Sequence, residues 1–225
     1  MRILLIALVA TTSAIADAAH AQVKDEQAWF TVAASGKVDD HVVLSLEALG
    51  RFGDAAAGLY EAEFGGFIGY RLDNGVEFGF GYVNVPGYSH GDRTRVENRL
   101  RQQVSFPLGS LGAAKLSGRV RLEERFRNTG ADTGFRLRPQ VKAALPLGDG
   151  GVSLFAGHES FLELNDTDWG QDDGYARMRN TIGVKVPLFG AVSGSVAYLN
   201  QLDFGRGGER DRMAHIADIG LSLGF

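Results

Sequence analysis

Cysteine is absent from this 225-residue chain, which excludes a disulfide framework, thiol catalysis and a thiolate metal site. Positive charge is not in excess: 23 Lys and Arg stand against 27 Asp and Glu, and a net charge of −4 argues against a nucleic-acid partner. Proline is scarce at five residues, so long elements can run unbroken. Beyond residue 16 no apolar run approaches the roughly 20 residues that a membrane helix needs. Phosphate loops, dinucleotide fingerprints and zinc spacings are missing as well, so neither a cofactor nor a metal is expected.

What the chain has is alternation. His215, Ala217, Ile219, Leu221, Leu223 and Phe225 share one face of the last segment, and Ala214, Ile216, Asp218, Gly220, Ser222 and Gly224 share the other. Period two with one apolar face reads as a half-buried strand. A terminal strand of this kind, closed by Phe, is similar to the closing strand of bacterial outer-membrane barrels. The resemblance makes Phe225 the signal that the barrel-assembly machinery reads. The other end agrees. Met1-Arg2 is basic, Ile3 to Ala16 is mostly apolar and Ala19-His20-Ala21 offers a cleavage site, which together predict a secretory signal peptide over residues 1–21. The expected product is one domain, residues 22–225, in the outer membrane of a Gram-negative bacterium, surrounded by its lipids.

Alternating segments are predicted at about 27–35, 41–52, 59–72, 75–85, 94–106, 114–127, 133–146, 151–164, 174–187, 191–204 and 213–225. Short connections, such as Asp73-Asn74-Gly75 and Pro187-Leu188-Phe189-Gly190, alternate with longer polar ones at 53–58, 86–93, 128–132, 165–173 and 205–212. Asn74-Gly75 is expected to form a tight primed turn. Short turns at one end and longer loops at the other are characteristic of outer-membrane barrels. In hydrocarbon only helices and closed barrels satisfy every backbone group. The expected fold is therefore all-β, a transmembrane antiparallel up-and-down β-barrel of ten to twelve strands. Termini on the same side demand an even number. Either 27–35 is not a full wall strand or one crossing is hidden; ten and twelve both stay open, with twelve preferred.

Periodicity does not say which face is inside; the signal peptide, the terminal Phe and the loop asymmetry put the apolar face outward. The lumen then carries a basic wall of Arg99, Arg101, Arg119, Arg121, Arg125, Arg136 and Arg138, and an acidic wall of Glu47, Glu61, Glu63, Glu77 and Glu159. Two readings follow. Opposed walls could orient a small polar or anionic solute in a porin-like pore, or the side chains could cross-pair and fill a narrow barrel. Tyr60, Tyr70, Tyr82, Phe106, Phe126, Tyr198 and Phe225 are expected on the outer wall near strand ends, as an interface girdle.

Several short motifs sit on these strands: Gln27-Ala28-Trp29, the run from Arg121 to Phe126, Arg136-Leu137-Arg138, Glu159-Ser160-Phe161, and Tyr198-Leu199-Asn200-Gln201 ahead of the terminal Phe225. With them the mature chain resembles the outer-membrane barrel family called domain of unknown function 2490. The resemblance implies a barrel and its location, and no activity. An alternative function rests on His158, Ser160 and Asn180. If 151–164 and 174–187 form a hairpin centred near Trp169, His158 faces Asn180 on the outer wall. Such a set is similar to the arrangement in outer-membrane phospholipase A, where a base activates a serine and a third group orients the base. That enzyme's remaining signature and a calcium-ligand set are not visible. The acidic run 165–173 could hold a divalent cation, although such runs are more often solvated loops.

Overall fold

The computed structural model describes residues 23–54 and 57–225; the predicted signal peptide, residues 1–21, lies outside the described residues. The described chain is all-β. Its strands are β1 (Val23–Lys37), β2 (Val42–Gly53), β3 (Gly58–Arg71), β4 (Glu77–Ser89), β5 (Asp92–Leu111), β6 (Ala114–Arg127), β7 (Thr133–Pro146), β8 (Ser153–Glu163), β9 (Gly174–Phe189), β10 (Val192–Asp203) and β11 (Arg212–Gly224). Each pairs antiparallel with the next, and the sheet closes on itself between β1 and β11.

The closing pair is parallel, from Val23 opposite Arg212 to Ser35 opposite Gly224. Among the described residues the strand count is therefore eleven, within the expected range of ten to twelve but at neither even value. The first segment is a full wall strand, longer at both ends than the predicted 27–35, and no further crossing occurs among the described residues. A same-side start and finish is required only when closure is antiparallel. A parallel ladder still satisfies the backbone groups of both edges, so the odd sheet can close. One end of the barrel carries the connections 38–41, 72–76, 112–113, 147–152 and 190–191 together with Phe225; the other carries 54–57, 90–91, 128–132, 164–173 and 204–211 together with Val23.

Two turns depart from expectation. Only Gly75 has positive φ in the Asp73-Asn74-Gly75 turn, with Leu72 N–H donating to Val76 O and Gly75 N–H to Leu72 O. That is a three-residue loop with a bulge at glycine, not the two-residue primed turn. The predicted long loop 86–93 is instead a strand extension closed by His90 and Gly91, both at positive φ, which is the primed geometry.

The wall is apolar outside and charged inside. Phe30, Val32, Phe64, Ile68, Phe78, Phe80, Ile182, Val196 and Leu221 are exposed, while eight arginines and six glutamates are buried. The buried apolar side chains include Val83 and Val85 on β4, Phe161 on β8, and a cluster of Trp29, Leu199, Ala214 and Ile216 against Leu49. Tyr70, Tyr82, Phe126, Tyr198 and Phe225 are exposed on the outer wall, and Phe106 lies over Gly118. Tyr60 is the exception to the girdle. The β2–β3 register skips it, pairing Arg51 with Glu61 and Phe52 with Leu59. The bulge turns its side chain toward the lumen rim, where its hydroxyl meets Gln27 Oε1 at 2.6 Å and Trp29 Nε1 at 3.0 Å.

Candidate functional site

Alternation at i, i+2 places arginine rows on β5, β6 and β7 toward the lumen, and their partners come from both flanks. Glu123 is fully buried, accepts from Arg136 Nη2 at 2.7 Å and Arg138 Nη1 at 2.8 Å, and lies 2.9 Å from Arg101 Nε as an ion pair. Glu97 is equally buried and gathers Arg99, Arg125 and Arg127 at 2.5, 2.8 and 2.9 Å. From the β3 side, Glu61 takes Arg51 and Arg95, and Glu63 takes Arg51 at 2.7 Å and Arg101 at 2.9 Å. From β8, Glu159 takes Arg119 and Arg138, and Glu163 takes Arg125 at 3.3 Å. Glu47 reaches Arg101 Nη1 at 2.8 Å from β2.

The predicted walls thus meet across the lumen, with two exceptions. Glu77 pairs locally with Arg71 at 2.7 Å near the short-turn end. Arg121 has no carboxylate; its Nε and Nη2 donate to Gln103 Oε1, and it lies 5.0 Å over the Phe67 ring. Sequence reasoning missed Arg51 and Arg179. Both carry their charge on a lumen face: Arg51 follows Glu47 and Leu49 at spacing two, and Arg179 follows Arg177, but neither row is as densely basic as those of β5, β6 and β7.

Above this layer, at the long-loop end, a cavity of about 330 Å³ is lined by Arg177, Arg179, Arg206, Phe161, Trp169 and Phe204 among others. The 164–173 connection folds over its mouth. Asp168 accepts from the N–H groups of Ala131 and Asp132 at 2.8 and 3.2 Å, and its own N–H donates to Asp132 at 2.8 Å. Trp169 Nε1 donates to Asp132 O, and its ring lies 4.2 Å from Arg127 and 5.1 Å from Arg125. Those two N–H groups hold the Asp168 carboxyl below the ordinary aspartate range. Two carboxylates of this run, Asp166 and Asp168, are engaged with the main chain, Asp166 with Asp173 N–H, and no metal-holding cluster occurs among the described residues.

On the outer wall, the assumed β8–β9 register is the one present, with His158 opposite Asn180. His158 Nδ1 lies 2.7 Å from Asn180 Oδ1, and His158 Nε2 lies 3.1 Å from Ser160 Oγ. Tyr175 OH lies 2.9 Å from the same Ser160 Oγ. These positions are near the long-loop rim. The β7–β8 ladder is interrupted at Pro139, which has no N–H to donate. A shallow apolar groove of about 260 Å³ runs from His158 and Ser160 past Pro139, Val120 and Gly118 to Phe106 and Leu108.

Residues 26–213 match the family model described as a protein of unknown function, DUF2490. An uncharacterized protein of Methylorubrum extorquens is 34% identical over 199 residues, spanning 86% of this chain and 87% of the relative. No solved structure matches the chain.

Proposed function

The chain belongs to the DUF2490 family, and we propose from its geometry that it is an outer-membrane barrel sealed by its own ionic core. The inversion of the wall carries this reading. In water a barrel turns its arginines outward and its phenylalanines inward; here Arg101, Glu97 and Glu123 are inside and Phe64, Ile68 and Phe80 are outside. An apolar exterior of that extent matches hydrocarbon, not water. Strands of 11 to 20 residues exceed the roughly 9–11 needed to cross. Between the cavity at the long-loop end and the short-turn end, the Glu123 and Glu97 clusters occupy the cross-section, which favours a filled lumen over a solute pore. Expressed protein is expected in the outer-membrane fraction after alkaline washing, and purified protein in planar bilayers is expected to stay electrically silent. Release by alkali, or regular conductance steps, would defeat the reading.

A second reading rests on the Ser160–His158–Asn180 contacts. With His158 Nδ1–H donating to Asn180 Oδ1, Nε2 is free to take the Ser160 proton as Oγ attacks an ester carbonyl. On the proposed membrane placement the set lies at the depth of lipid esters, and the groove below it would take an acyl chain. Fatty-acid release from phospholipid micelles is expected to fall by roughly 10³-fold in Ser160→Ala; release that survives this change would sink the hydrolase.

A further inference from the structure

Six of the eight buried arginines meet a carboxylate within 4.0 Å, and the two that do not are Arg121 and Arg179. Arg121 faces the short-turn end. Arg179 lines the long-loop cavity, borders a smaller one beneath it that Glu159 and Asp218 share, and is 8% exposed. Its Nε donates to Gln201 Oε1 at 2.8 Å, and no other side-chain hydrogen bond leaves it among the described residues. Its guanidinium is held between two rings, 4.7 Å from Trp29 and 4.7 Å from Phe161. Stacking fixes the plane of the fork and leaves its terminal N–H groups without an acceptor.

An unpaired guanidinium at this depth is unfavourable unless something completes it. The six other buried arginines outside Arg121 have carboxylates, and Arg121 itself gives two N–H groups to Gln103 Oε1. Nearby, Arg206 on the 204–211 connection also lacks a carboxylate among the described residues, whereas Arg177 is paired with Asp203. The planar fork of arginine matches the paired oxygens of phosphate and carboxylate groups. We propose that Arg179, assisted by Arg206 at the rim, binds an oxyanion group in this cavity, entering from the long-loop end. Glu61, Glu63 and Glu163 in the lining are taken up by arginines of the core, and the carboxylates of Asp172, Asp203 and Glu209 share the rest of it. They select for a small anionic group and against an extended polyanion.

The chain's two tryptophans both report on the place: Trp29 stacks on Arg179 and Trp169 lines the cavity. Full-length mature protein in detergent would be titrated with inorganic phosphate, with acetate and with lipopolysaccharide micelles while its fluorescence is followed. A saturable change is expected with phosphate, weaker at high salt, with affinity reduced roughly tenfold or more in Arg179→Gln and unaltered in Arg121→Gln. A response to lipopolysaccharide and none to free phosphate would keep the oxyanion site and assign the group to a lipid headgroup. Absence of any saturable response, or equal loss in both variants, would overturn the proposal. Should Arg179→Gln fail to assemble, Arg206→Gln lies outside the wall and must weaken the same response; unaltered affinity there would also count against the site.

Discussion

Glu123 binds three guanidiniums with a single carboxylate, and no water-exposed surface shares the load. Removing one partner from a buried ionic group leaves uncompensated charge, a loss of about 3–5 kcal/mol in proteins generally. Glu123→Gln keeps the shape and removes the charge, so urea unfolding in detergent should show a destabilisation of about that size. A change near zero would mean that water screens the lumen. At this scale the sequence was partly legible. Spacing at i, i+2 marked Arg119, Arg121, Arg125, Arg136 and Arg138 as one face. It did not say which arginine would lack a glutamate, because partners come from strands up to several positions round the wall, as with Arg125 and Glu163. His158 and Asn180 were legible because a single hairpin fixes their register.

Among the elements, the 164–173 connection departs most from a simple loop. Its docking depends on an ionised Asp168, whose folded-state carboxyl is held below the ordinary aspartate range by the Ala131 and Asp132 N–H groups. A depressed folded value means that the contribution is complete above the ordinary aspartate range and is lost as pH falls through the lowered value. Trp169 quenching should therefore rise under strongly acidic conditions as the cap leaves Asp132. Asp168→Ala should show the undocked signal at every pH; a quenching profile identical to wild type would refute the capping role. The sequence marked 165–173 as acidic and polar but held no sign that it packs on 128–132. That contact is between loops, where periodicity is silent. The 86–93 segment shows the converse: Pro86 and Gly87 suggested a loop, yet the wall strands run on to a primed turn at His90-Gly91.

For the whole molecule, the eleven segments and their charged and apolar faces could be read from alternation, whereas placing the charged face in the lumen took the two chain ends and the loop lengths as well. Parity could not, because a parallel and an antiparallel closure leave the same period-two signature on β1 and β11. That closure has a topological consequence. An even wall returns the polypeptide to the side from which it set out; this one does not. Val23 and Phe225 lie at opposite mouths. On the proposed membrane placement, Val23 and Phe225 stand at opposite faces of the bilayer. On that placement, pairing the strands as hairpins leaves one strand over, and its second edge finds a partner only when the β1–β11 seam closes.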